Sequence, residues 1–112
     1  MTHFIKSFGW AANGLKAVWI EERNFKIEVA IAILAVVSAA ISDFMQWQWI
    51  LLVLIIAFVL MGEIVNTAVE DICNKIEPNQ DPAIGKIKDT MAAYVLVSSI
   101  AAAVAGLLLF LS

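Results

Sequence analysis

Five side chains that carry oxygen ligands follow the second apolar stretch of this sequence, in the segment MGEIVNTAVEDICN at residues 61–74. Glu63, Asn66, Thr67, Glu70 and Asn74 lie 0, 3, 4, 7 and 11 residues from the first of them. On a helix that turns about 100° per residue, these intervals form one narrow stripe. Carboxylate and amide oxygens are hard ligands that suit Mg²⁺. The stripe therefore predicts metal-assisted chemistry at the end of an apolar helix.

Further charged residues lie where they could complete such a site. Glu21, Glu22 and Glu28 come near the start of the first apolar segment and could supply a second carboxylate. Lys86 and Lys88 precede the third segment and could contact phosphate oxygens. Carboxylates, a metal and lysines together indicate phosphoryl transfer, in which positioning and charge neutralisation provide most of the catalysis. The alternative is a polar seam between helices, which is the usual role of isolated Asn and Thr in membrane spans.

The elements that position these residues are membrane helices. The chain has 112 residues, of which 62% are hydrophobic and 15% charged. A soluble domain of this length could not bury that much apolar surface, so much of it must face lipid. We predict an all-α membrane protein with a single domain over residues 1–112 and no nucleic-acid partner. Its three transmembrane helices are predicted at about residues 25–45, 47–72 and 88–111.

The N-terminal segment predicts a fourth helix of a different kind. Phe4, Phe8, Leu15 and Trp19 are among the apolar residues that recur there at helical intervals, with polar residues between them. This pattern is typical of an amphipathic helix that lies in the membrane interface. We predict such a surface helix at about residues 3–22, either as a simple anchor or as a cover for a site at the membrane face.

The basic residues predict the orientation. All seven lie either before the first span or between the second and third. By the positive-inside rule, the N-terminus and the segment at residues 71–90 are cytoplasmic, and the C-terminus is on the periplasmic or outer side.

These motifs together resemble a known family. The segments GLKAVWIEERNFKIE, GEIVNTAVEDICNKIEP and GKIKDTMAAYVL are similar to those of the small bacterial diacylglycerol kinases and the related undecaprenol kinases. The family signature Glu-x-x-Asn-(Thr/Ser)-Ala-(Ile/Val)-Glu is matched without a gap from Glu63 to Glu70, and a Lys-Asp pair is matched by Lys88 and Asp89.

The resemblance implies a function and an assembly. Family members are homotrimers of the bacterial inner membrane with active sites shared between subunits. They transfer the γ-phosphate of MgATP to a lipid hydroxyl. The resemblance thus implies Mg²⁺ as cofactor and ATP and a membrane lipid as substrates.

The resemblance also assigns residues. It makes Glu63 the general base, Asn66 a catalytic residue, and Glu22 and Glu70 the metal ligands. The nucleotide-contacting residues that it implies are Lys88, Asp89, Glu22, Glu70, Trp10, Asn79 and Asp81. The lipid-side residues that it implies are Glu63, Trp19, Phe25 and Glu28. The roles of His3, Trp10 and Asn74, which differ from the usual family residues Arg, Tyr and Asp, stay open.

The substrate prediction is diacylglycerol, with undecaprenol as the alternative. The segment AVWIEERNFKIE combines the Ala-x-Trp-Ile-x-Glu pattern and final Glu of diacylglycerol kinases with the Glu-Arg-Asn-Phe of undecaprenol kinases. A membrane adaptor or small ion-coupled transporter is a different possibility, in which the carboxylate stripe would be an ion path. Transporters of this kind commonly show repeats and charge near the bilayer midplane. Here the carboxylates gather at one membrane face, which favours the kinase.

Overall fold

The computed structural model of the protein describes residues 2–112, which form four α-helices and no strand. They are α1 at Thr2–Glu21, α2 at Arg23–Ile41, α3 at Gln46–Ile76 and α4 at Pro82–Leu111. The last three are long and apolar enough to cross a membrane. Most of their large apolar side chains are exposed, as expected when lipid takes the place of water. The predicted all-α fold with three apolar spans and a less apolar N-terminal helix is confirmed.

Local hydrogen bonds fix where the helices begin and end. α2 ends at Ile41 and is followed by a tight turn in which Asp43 adopts a φ of 53°, a conformation that Asp tolerates. α4 begins at Pro82, before the span that is predicted from about residue 88, and its first turn is capped. The Asp81 carboxylate accepts hydrogen bonds from the amides of Ala83 at 3.0 Å and Ile84 at 3.1 Å. Proline at the first helical position completes this start.

α3 is the central element, because α1, α2 and α4 all pack against it. Near its N-terminal end, Ala39, Leu52 and Leu109 form a small buried cluster with aromatic neighbours. At the other end, α4 comes close to α3 at Gly62. A Cβ placed on Gly62 would lie 3.4 Å from a ring carbon of Tyr94. α2, α3 and α4 therefore enclose two spaces along α3, one on each side of the level of Glu63, which follows Gly62.

Candidate active site

A cavity of about 520 Å³ lies where the start of α2, the second half of α3 and the first half of α4 meet. Four glutamates and one lysine supply the charge of its lining within the described part of the chain. Its polar lining residues are Glu22, Asn24, Glu28, Glu63, Asn66, Glu70, Lys88 and Ser99. The cavity thus brings together residues that are far apart in the sequence, including six of those predicted for the site.

Glu63 is the most enclosed residue of this cavity. Its side chain is 1% exposed, and neither carboxylate oxygen has a hydrogen-bond partner among residues 2–112. Gln48, another buried polar side chain of α3, is by contrast satisfied at both ends. Its Oε1 accepts from the Met45 backbone N–H, and its Nε2 donates to the Ser112 hydroxyl. A buried carboxylate without a partner is costly and marks a functional candidate.

Glu28 faces Glu63 from α2. The two carboxyl groups approach within hydrogen-bonding reach, and one Glu28 oxygen also lacks a partner among the described residues. A hydrogen bond between two carboxyl groups needs a proton on one of them, since ionised carboxylates only accept. The two carboxyl groups can therefore hydrogen-bond to each other only when one of them is protonated.

Glu22 and Glu70 form a second carboxylate pair at the opposite end of the cavity. Burial raises the pKa of the Glu22 carboxyl above its ordinary value, and the nearby charges of Glu70 and Glu63 raise it further. Within residues 2–112, no three His, Cys, Asp or Glu side chains converge into a ready-made metal site. Mg²⁺ does not need one, because it commonly takes only one or two protein carboxylates and completes its shell with water and phosphate. The donor set of Glu22 and Glu70 fits Mg²⁺.

Glu21, which the sequence offered as another source of a carboxylate, is directed elsewhere. It does not line the cavity, and its side chain hydrogen-bonds with that of Asp71. This contact raises the pKa of the Glu21 carboxyl, since two acidic groups close together favour the protonated form. Of the three candidates near the first span, Glu22 and Glu28 are the ones that reach the cavity.

Lys88 carries positive charge into the cavity from α4. Its Nζ donates a 2.7 Å hydrogen bond to Oδ1 of Asn74, in the last turns of α3. Lys86, two residues earlier, lines a different surface depression. Asn74 thus holds the ammonium group of Lys88 in place without a neutralising negative charge of its own.

The predicted stripe on α3 is only partly realised. Glu63, Asn66 and Glu70 line the cavity, and Asn74 reaches it through Lys88. Thr67 does not line it, because its hydroxyl is buried and donates to the Glu63 carbonyl at 2.9 Å. A threonine in a helix often satisfies itself in this way.

The predicted aromatic residues lie outside the cavity. Trp19 at the end of α1 packs edge-on against Phe25 of α2, with ring centroids 6.3 Å apart. This contact fixes the corner between the two helices, directly beside Glu22. Trp10 lies earlier in α1, and its ring centroid is 5.4 Å from that of His3. Lipid and nucleotide roles for these rings stay predictions.

The remaining nucleotide-side predictions fall on neighbouring surfaces. Asn79 and Asp81 line a second cavity of about 620 Å³ at the loop before α4, and Lys88 borders it as well. Asp81 is engaged as the helix cap of α4. Asp89 follows Lys88 and lies beside Lys86 in another depression. Lys88 therefore borders both the cavity that contains Glu63 and the cavity at the loop, whereas Asp89 lies on a different side of α4.

The structure adds two polar residues that the sequence did not single out, Asn24 and Ser99. Both line the cavity. Ser99 and Glu28 also border an apolar groove of about 600 Å³ that runs between α2 and α4 along α3. The signal in the sequence was slight, since Ser99 belongs to one short pair of serines in an otherwise apolar span.

Comparison with known proteins identifies the family of the chain. A family model described as prokaryotic diacylglycerol kinase matches residues 9–110. The chain is 33% identical to a diacylglycerol kinase of Escherichia coli over 111 residues. These residues are 99% of this chain and 91% of the relative.

Two further relatives are named for different lipid substrates. An undecaprenol kinase of Bacillus subtilis is 29% identical over 111 residues, which are 99% of this chain and 90% of the relative. A diacylglycerol kinase of Helicobacter pylori is 29% identical over 97 residues, with 85% and 74% covered. These matches favour a kinase over an adaptor or transporter. The chain belongs to the prokaryotic diacylglycerol kinase family, a family of lipid kinases, and is a multi-pass membrane protein.

Proposed function

We propose that this protein transfers the γ-phosphate of MgATP to the free hydroxyl of diacylglycerol and so forms phosphatidic acid. The observation that carries the proposal is the junction of two unlike spaces at Glu28 and Ser99. On one side lies a cavity with four carboxylates and a lysine, and on the other an apolar groove within the membrane span. A lipid kinase needs such a junction, because its donor is charged and its acceptor is largely hydrocarbon.

Glu63 is the general base in this proposal. It takes the proton of the lipid hydroxyl, and the hydroxyl oxygen bonds to the γ-phosphorus as the bond from that phosphorus to the bridging oxygen breaks and ADP leaves. A buried carboxylate with no internal partner is suited to this role, since the substrate hydroxyl would supply the missing donor. Glu28, on the opposite side, would hold the hydroxyl in line.

Lys88 and the Glu22–Glu70 pair serve the donor side. Lys88 would contact phosphate oxygens, and its hydrogen bond to Asn74 restrains the position of the Nζ. Glu22 and Glu70 would hold Mg²⁺, which when bound neutralises phosphate charge. Asn66 lies between Glu63 and Glu70 on the same face of α3 and would orient a phosphate oxygen with its amide.

The apolar groove would receive the acyl chains of the acceptor. It continues from the junction past Ala35 on α2 and Ala103 on α4 to Phe110. Burial of hydrocarbon in a groove between spans keeps the chains at membrane depth while the hydroxyl reaches Glu63.

Undecaprenol is the second candidate acceptor. The undecaprenol kinase relative matches nearly the whole chain, and Glu22 to Phe25 read Glu-Arg-Asn-Phe as in that group. The test is a competition: purified protein in mixed micelles receives equal mole fractions of both lipids with magnesium and ATP, and the phosphorylated lipids are separated. We expect phosphatidic acid to dominate. A predominance of undecaprenyl phosphate would reverse the assignment.

We also propose a homotrimer with shared active sites. The position of Asp89 supports this, because it lies outside the cavity that Lys88 enters and would serve the cavity of a neighbouring copy. Mixing inactive Glu63→Gln chains with inactive Asp89→Asn chains should then restore part of the activity. If the mixture stays as inactive as either variant alone, the two residues act within one chain.

The proposed location is the bacterial inner membrane. The distribution of all seven basic residues supports a cytoplasmic N-terminus and 71–90 segment, with the C-terminus outside. This orientation opens the cavity toward cytoplasmic ATP. The test uses single cysteines, introduced at residue 79 or at residue 112 of a Cys73→Ala background. A thiol reagent that cannot cross the membrane should modify the first cysteine from the cytoplasmic side and the second from the outer side.

A further inference from the structure

Ser99 lies at the junction between the catalytic cavity and the apolar groove. Among the described residues, it shares this position with Glu28, since these two border both spaces. The depth of Ser99 in the membrane is indicated by the contact that the adjacent Ser98 makes with α3. A Cβ on Gly62 would lie 3.7 Å from Oγ of Ser98, so α4 passes α3 here at the level of Glu63. Ser99 is therefore close in depth to the residue proposed to activate the lipid hydroxyl.

The hydroxyl of Ser99 is not satisfied by its own helix. Ser7, Thr67 and Thr90 each donate to the carbonyl four residues earlier, at 3.0, 2.9 and 2.8 Å. The side chain of Ser99 makes no hydrogen bond within residues 2–112. Ser99 is half-buried, and it borders both the cavity and the groove. A polar group that leaves bulk water is stabilised when it gains a hydrogen-bond partner. Its partner is then expected in the space that it lines.

The acceptor lipid offers such a partner. In 1,2-diacylglycerol, the carbon next to the one that carries the free hydroxyl bears an acyl ester. The carbonyl of this ester therefore enters the junction together with the hydroxyl. A polyprenol presents only hydrocarbon beside its hydroxyl. We propose that Ser99 donates a hydrogen bond to this ester carbonyl and thereby selects acylglycerols over polyprenols. The inference rests on the proposed kinase function and adds a residue that determines its specificity.

The test compares ester and ether forms of the same acceptor. Wild-type protein and Ser99→Ala are assayed with diacylglycerol, with its ether-linked analogue, which lacks the carbonyl oxygens, and with undecaprenol. We expect Ser99→Ala to lower kcat/KM for the ester by about fivefold to tenfold, the effect of one neutral hydrogen bond. The values for the ether and for undecaprenol should stay unchanged, since neither lipid has a carbonyl to lose.

Ser98→Ala is the matched control. Ser98 is the adjacent serine on α4, and it faces Gly62 rather than the cavity or the groove. Its removal should leave the ester-to-ether ratio of kcat/KM at the wild-type value.

Three outcomes would overturn the inference. An equal loss with ester and ether would make Ser99 a structural residue, and the absence of any loss would leave its hydroxyl without a role in recognition. Both outcomes leave the lipid kinase function standing. Failure of the wild-type protein to phosphorylate diacylglycerol or its ether would instead refute the proposed function, and the Ser99 inference with it.

Discussion

Replacement of Glu63 by Gln should separate catalysis from stability. The substitution keeps the size of the side chain but removes the base and the buried charge. General base catalysis commonly contributes about 10²- to 10⁴-fold to a rate, so turnover should fall by at least that factor. Nucleotide binding should persist, because Glu22, Glu70 and Lys88 are unchanged.

The same substitution should stabilise the protein. Both Glu63 oxygens are buried without a partner in the described structure, and one Glu28 oxygen beside them also lacks a donor. The amide of Gln can donate to Glu28, and each buried acceptor left unsatisfied costs about 1–3 kcal/mol. We therefore expect a gain of about 1–3 kcal/mol, seen as a higher thermal unfolding midpoint in detergent.

The assay pairs the unfolding midpoint with the initial rate and with binding of a fluorescent ATP analogue in magnesium. Glu77→Gln is the control, because Glu77 directly follows α3, lies outside the cavity and accepts a hydrogen bond from the backbone N–H of Asn79. A Glu63→Gln protein that is less stable would refute the reasoning from burial. One that retains turnover, or loses nucleotide binding, would refute the assignment of Glu63 as base.

Three further substitutions test the other parts of the site. Glu70→Gln should raise the magnesium concentration needed for half-maximal activity by about tenfold, whereas an unchanged requirement would assign Glu70 to packing. Asn74→Ala should raise the KM for ATP by about twofold to fivefold, because an exposed hydrogen bond to Lys88 contributes about 0.5–1 kcal/mol. Asn74→Asp keeps an acceptor, so its KM should stay near the wild-type value. Equal effects of the two substitutions would contradict the role of the bond. Ala103→Phe should narrow the groove and raise the KM for long-chain diacylglycerol, while Ala101→Phe, which lies outside it, should not. A change in subunit association instead of KM would identify the groove as a contact between copies.

The periodicity of α3 predicted much of the site. Glu63, Asn66 and Glu70 were placed on one face by their spacing alone, and all three line the cavity. Thr67 shares that spacing but turns its hydroxyl to the Glu63 carbonyl. Spacing gives the direction of the Cα–Cβ bond, whereas the rotamer of a side chain depends on which hydrogen bond is available.

Residues from different helices were harder to predict. Asn24 and Ser99 reach the cavity only because α2 and α4 pack on α3 at a particular rotation, which no local pattern encodes. Asp89 follows Lys88 but lies about 100° away around α4, and so borders a different surface. The early start of α4 was available in the sequence, since Asp81 followed by Pro82 is a typical helix beginning.

Transfer of labelled phosphate to lipid tests the central claim most directly. Purified wild-type protein is incubated in mixed micelles with γ-labelled ATP, magnesium and diacylglycerol, and the label in extracted lipid is counted beside a Glu63→Gln control. The account predicts magnesium-dependent labelling of phosphatidic acid by the wild-type protein and background counts for the variant. Absence of label with both diacylglycerol and undecaprenol, or equal labelling by wild type and variant, would contradict it.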